Sequence, residues 1–291
     1  NVTHAALALA ALDAGKDVLC EKPLTTNPDD ALRLVRAVRD HPEAIFQVGY
    51  MKRYNPGFLL LKDTLPRIGE PLTAEFRVMA ERVTSTSDSW YRRPGESGGG
   101  ILTHSGSHLI DLMRWLLGEP TRVDARISYA PGRPGLDWAT QALIEMASGL
   151  TVHLAAVSTP APGLGHTGEG WEETVEIVGE RGRLRLSSPN WQATAPCLLT
   201  LGLAGERETR TLYPERGSPW EAEMRAFHHT PDGTIEVHYY THITTHAGLF
   251  AFALLSEIAN QLEPLTTESE RARLNVLRRT LAWQQTMGKL R

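Results

Sequence analysis

A lysine between Glu21 and Pro23 follows the apolar run DVLC and precedes TTNPDD, a stretch suited to starting a helix. In an open parallel sheet, the carboxyl end of a strand faces the crevice where ligands bind. An ammonium there, Lys22, can donate hydrogen bonds and positive charge to a substrate hydroxyl. The plainer alternative is a surface lysine paired with Glu21. A second cluster lies in SGGGILTHSGSHLIDLMRWLLG, residues 97–118, where three glycines precede His104, His108 and Asp111. On a helix that spacing puts all three on one side. Histidine readily moves a proton near neutral pH, so one of the pair could serve as a general base. The plainer alternative is a residue at the helix start followed by a core histidine with its hydrogen bonds satisfied.

Two other patterns look chemical and are set aside. GLGHTG, residues 163–168, has the spacing GxGxxG, but it stands between the strand-like runs TVHLAAVS and WEETVEIVG. A dinucleotide loop needs a helix N-terminus directly after it, so this reads as a glycine loop. His238, His242 and His246 recur every four residues, which would suit zinc if the stretch were helical. The surrounding IEVHYYTHITTH is rich in β-branched and aromatic residues, which favour extended chain and spread the three apart. No metal site is expected.

The elements that must position Lys22 are legible. NVTHAALALAALDAG reads as a helix stopped by Gly15, followed by a strand in KDVLC. Asn27 caps the next helix, with Pro28 in its first turn and Asp29 and Asp30 near its positive end. AIFQVGY is the next strand. Helix, strand, helix, strand is the rhythm of a parallel α/β sheet. After Pro56 the pattern becomes alternating in TAEFRVMAERV, RVDARISYA, ALIEMASGLTVHLAAVS and TVEIVGERGRLRLSS, with hairpin turns at Ser-Gly and Glu-Arg-Gly. Two helices are expected to close the chain, around HAGLFAFALLSEIANQL and after a capping box from Thr267 to Glu270, with Leu274, Leu277 and Leu281 on one face. The expected fold is therefore α/β plus α+β: the C-terminal part of a Rossmann-type parallel sheet (1–55), then an α+β domain with a large, mostly antiparallel sheet (56–291).

Composition narrows the partners. A net charge of −4 over 291 residues gives no electrostatic footprint for nucleic acid. The apolar stretch AGLFAFALL is far short of the roughly 20 residues of a membrane helix. Cys20 and Cys197 lack metal-type spacing and form no disulfide framework, so a reducing, cytoplasmic setting is expected.

Taken together, HAALALAALDAGKDVLCEKPL, GYMKRYNP and WYRRPGESGGGILTHSGSHLIDLMRWLLG make the chain resemble the Gfo/Idh/MocA oxidoreductases. Order and spacing agree over residues 1–118, and ETVEIVGERGRLRLS resembles a later hairpin of that family. The resemblance implies NAD or NADP as cofactor and hydride transfer with a sugar, polyol or related carbinol. It also implies a homo-oligomer formed through the open sheet. By position, Lys22 would bond the reacting oxygen and His108 would accept its proton. His104 would join Lys22 and His108 in the catalytic set and, with Asp111, complete the substrate site, while Asn1, Glu21, Pro23, Arg53, Trp90 and Arg92 would border cofactor or substrate. His104 departs from the family pattern, which has Asp there. The sequence also starts at Asn1 with no glycine fingerprint ahead of it, and reads as a chain whose first Rossmann half is missing. An alternative expectation is a non-catalytic relative that binds a sugar-like ligand or a partner protein.

Overall fold

Helix α1 (His4–Asp13) stops where Gly15 adopts φ of +64°, a left-handed conformation that costs glycine little. Strand β1 (Val18–Glu21) follows. Helix α2 (Pro28–Asp40) starts at Asn27, whose side chain accepts the Asp30 N–H at 2.9 Å. Strand β2 (Phe46–Gly49) then pairs in parallel with β1, from Val18 opposite Phe46 to Glu21 opposite Gly49. Ala5, Ala8 and Leu12 of α1, Leu34 and Val38 of α2, and Val18, Phe46 and Val48 of the strands form one buried cluster. This first unit is the parallel α/β piece expected from the sequence. The computed structural model describes residues 1–81, 90–161, 163–165, 170–190, 195–214 and 217–228. The expected closing helices, the capping box and His238, His242 and His246 lie outside the described residues, as does part of the glycine loop at 163–168.

A 3-10 turn, Met51–Tyr54, leads from β2 into helix α3 (Pro56–Thr64), which Asn55 caps by accepting the Gly57 N–H at 2.8 Å. Strand β3 (Pro71–Ala80), the short helix α4 (Pro94–Ser97) and helix α5 (Ser107–Leu117) come next. Seven more strands follow: β4 (Pro120–Tyr129), β5 (Asp137–Met146), β6 (Thr151–Ser158), β7 (Trp171–Gly179), β8 (Gly182–Ser188), β9 (Leu198–Leu203) and β10 (Arg210–Leu212). Together with β3 they form one sheet in the order β10-β9-β8-β7-β3-β6-β5-β4. Only β3 and β6 run parallel, so the sheet is mostly antiparallel as its alternating runs required. Ala74, Phe76 and Val78 of β3 face inward against Phe58 and Leu61 of α3 and Leu109, Ile110 and Met113 of α5, while Glu75 faces out. Helix α6 (Pro219–His228) packs against the Met51–Tyr54 turn.

That turn carries two adjacent buried cations with different partners. Lys52 Nζ pairs with Glu173 of β7 at 2.5 Å, and Arg53 grips Asp111 of α5 through Nε and Nη2 at 2.8 and 2.6 Å. Removing one member of such a pair strands a charge in apolar surroundings. Arg53→Met should therefore lower the unfolding free energy by about 3–5 kcal/mol. Arg33→Met, which breaks an exposed pair with Asp30, should cost less than about 1 kcal/mol. Denaturant titration of both variants checks this, and equal small losses would show that the Arg53 pair contributes little.

Candidate active site

β1 and β2 end side by side at Glu21 and Gly49, and the segments leaving them border a cleft of about 400 Å³. Lys22 enters it from the end of β1, as the strand register requires. His104 and His108 enter from another part of the chain, and the local geometry there differs from a simple helix. Gly98 ends α4 in the left-handed region (φ +83°), and Gly99 follows at φ +145°. Residues Leu102–Gly106 then form a π-helical turn before α5 begins at Ser107. Such a turn holds one more residue than an α-turn and is often found at functional sites. Both histidines still reach the cleft. The His104 ring stands edge-on to Trp90 at 6.0 Å, and the His108 ring edge-on to Tyr50 at 5.7 Å. Across the cleft, the Lys22 ammonium donates to the His104 carbonyl at 2.8 Å.

Among the residues expected from sequence, Asn1, Glu21, Lys22, Trp90, His104 and His108 line this cleft. The Asn1 amide donates to the Ser97 carbonyl at 2.6 Å, and Glu21 Oε2 accepts the Lys22 backbone N–H at 3.1 Å. Pro23, Arg53, Arg92 and Asp111 are not in the lining. Arg53 and Asp111 are buried against each other. Pro23 offers its carbonyl to the His4 Nδ1–H at 2.8 Å, and Arg92 is half-buried in the turn Trp90–Arg92.

Several lining residues were not foreseen: His4, Gly49, Met51, Lys52, Trp171 and Trp220. Lys52 also lies over the Trp171 ring, 5.1 Å from its centroid. The one sequence signal for Trp220 was its place in a first helical turn after Ser218 and Pro219. Burial lowers the pKa of His4 and pushes the Cys20 thiol up to about 12, so neither adds charge readily. Both cysteines are free and buried. Among the described residues, no group of three His, Cys, Asp or Glu could hold a metal, and no helix is long and apolar enough to cross a membrane.

A parallel α/β unit thus delivers a lysine from a strand end to a histidine-bearing helical run packed on an open, mostly antiparallel sheet, and the two meet at one cleft. Residues 1–50 match the model of an oxidoreductase family with an NAD-binding Rossmann fold, and residues 66–185 match the GFO/IDH/MocA C-terminal domain. The chain belongs to the Gfo/Idh/MocA oxidoreductase family. Residues 219–291 match a domain model of unknown function. Inositol 2-dehydrogenase 2 of Saccharopolyspora erythraea is 31% identical over 77% of this chain and 62% of its own length. Inositol 2-dehydrogenase/D-chiro-inositol 3-dehydrogenase of Shouchella clausii is 29% identical over 77% of this chain and 60% of its own. The chain thus spans about three fifths of the length of these curated relatives. Among solved structures, levoglucosan dehydrogenase in complex with NADH superposes with a TM-score of 0.72 at 22% identity, covering 90% of this chain and 76% of that one. An oxidoreductase domain protein from Kribbella flavida gives 0.71 at 20% identity, covering 89% and 75%. These structural likenesses establish the fold.

Glu223 of α6 is a further acid beside this region. It is buried, with Oε1 lacking a hydrogen-bond partner among the described residues. Burial, with Glu21 and Asp111 near it, pushes its carboxyl up to about 8, while the Gln47 amide works the other way. The folded protein thus holds this acid neutral at pH values where the unfolded chain, with a value near 4.5, has released the proton. The stability linked to that proton is complete below about 4.5 and is lost as pH rises through about 8. Glu223→Gln cannot ionise. Its melting temperature should therefore gain on the wild type between about pH 5 and about pH 9, and a pH-independent difference would show that Glu223 is already ionised when folded.

Proposed function

We propose that this chain carries the reacting centre of a nicotinamide-dependent oxidoreductase that interconverts a secondary alcohol of a sugar or polyol with its ketone. The observation that carries the reading is the convergence of Lys22 and His108, from two separate elements, on one cleft at the ends of parallel strands. Curated relatives named as inositol dehydrogenases support the polyol part of it.

The lining has chemistry suited to a nicotinamide. The Asn1 amide and Glu21 carboxylate offer a donor and an acceptor to a carboxamide, and Met51, Trp90 and Trp220 supply apolar walls for a flat ring. When bound, the nicotinamide would supply the hydride acceptor. In alcohol oxidation His108 takes the hydroxyl proton, and the Lys22 ammonium stabilises the alkoxide that develops. The His104 carbonyl orients that ammonium without cancelling its charge. His104 itself borders the substrate, with Trp90 against its ring. The outward face of the eight-stranded sheet, where Leu143 is exposed beside Gln141 and Glu145, is the surface for self-association in this reading.

The test is turnover by the full gene product with a panel of polyols and sugars and each nicotinamide dinucleotide. Lys22→Ala and His108→Ala should each lower kcat by about 10²–10⁴-fold while leaving the melting curve in place. Wild-type rates from both variants would refute these roles. Polyol binding with no nicotinamide-dependent turnover would instead make the protein a ligand-binding relative.

A further inference from the structure

Asp137, the first residue of β5, is buried and does not line the cleft. Its carboxylate accepts the Gly100 N–H through Oδ1 at 2.6 Å and the Leu102 N–H through Oδ2 at 2.8 Å. These amides open the helical run that continues through the π turn into α5, where N–H groups have no acceptor within the helix. A carboxylate is the favoured partner there, because it also meets the positive end of the run. The backbones are pressed together at this point: a Cβ on Gly100 would overlap the Asp137 carbonyl. Strand β5 and the start of the helical run therefore cannot shift independently.

The next contacts lead directly to the reacting centre. The His104 N–H returns to the Gly100 carbonyl at 3.1 Å, and the His104 carbonyl accepts the Lys22 ammonium at 2.8 Å. We propose that Asp137 is a positioning residue for the cleft. By clamping Gly100 and Leu102 it fixes the His104 carbonyl, and through that carbonyl it fixes the Lys22 ammonium. The inference rests on the reading of Lys22 as the group that meets the reacting oxygen, but its first consequence is the restraint of Lys22, which can be measured without turnover.

The decisive variant is Asp137→Asn in the full gene product. It keeps shape and volume but sets an amide N–H₂ against one of the two backbone N–H groups. The readout is the acetylation rate of Lys22 by acetic anhydride, followed by peptide mass spectrometry and divided by the rate at exposed Lys16. A hydrogen bond to a charged group holds tightly enough that its loss should raise this ratio at least about fivefold. In turnover, kcat should fall about 10²-fold with KM for the dinucleotide unchanged. An unchanged Lys22 ratio in the folded variant overturns the inference. A raised ratio from a protein that turns over no alcohol upholds the clamp and counts only against the oxidoreductase reading. Native-state hydrogen exchange of the wild type gives a second decision should the variant not fold. Gly100 and Leu102 amides should exchange as slowly as those of β3, and exchange at the rate of the Arg133–Gly135 turn would overturn the clamp.

Discussion

Two charged side chains buried side by side in one turn hold the molecule's parts in a fixed relation. Lys52 and Arg53 are neighbours in sequence, yet one pairs with β7 and the other with α5. Burying a cation is costly unless a partner meets it at close range, so neither residue can leave its acid without exposing both to that cost. The turn follows β2 directly and runs through Asn55 into α3, which rests on the large sheet. Four elements are thereby tied to one point. Apolar packing alone would allow many sliding arrangements of helix on sheet, since it has no preferred direction. Buried ion pairs discriminate between them because a charge tolerates little displacement.

The cleft depends on that fixed relation. Lys22 is positioned by strand register, whereas His104 and His108 are positioned by a helix start, and a hydrogen bond joins the two systems across the cleft. Catalytic geometry tolerates errors of well under an ångström, so groups drawn from different parts of a chain need rigid supports. Both supports here rest on secondary structure. Glycine makes the second one possible: at Gly100 the helix start touches β5 backbone to backbone, which no side chain would permit. The π turn that follows places the His104 carbonyl and ring so that the carbonyl meets the ammonium and the ring meets Trp90.

What the sequence made legible was local. Gly15, Asn27 and Pro28 act within a few residues of themselves, and the structure shows each ending or starting a helix as its chemistry requires. The alternating runs that became β3 to β8 were equally readable, because period two is a property of one strand. Helix α3 escaped notice although Asn55 and Pro56 announced it, since PGFLLLKDT has too little polar spacing to show a face. Strands β9 and β10 are short and lie at one end of the sheet, where pattern is weakest. Lys22, His104 and His108 stood out because chemistry and spacing coincided, and all three line the cleft. Arg53 and Asp111 were singled out too, but the structure pairs them with each other away from the lining, a relation between distant residues that no local pattern encodes.

Trp220 raises a different point about the cleft. The residues around it come mostly from three matched spans: Lys22 from the first, His104, His108 and Trp171 from the second, and Trp220 from the third, the one shared with a domain model of unknown function, while Met51 and Lys52 lie between the first two. The charged and titratable groups of the lining come from the first two spans and, in Lys52, from the segment between them. The third supplies an indole, and an indole acts by shape and apolar contact. Such a wall gives the cleft part of its shape, and its place follows from how α6 sits on the Met51–Tyr54 turn. The charged groups of the cleft and its Trp220 wall are therefore borne by different stretches of this chain, and the buried cations of the Met51–Tyr54 turn tie both to one framework.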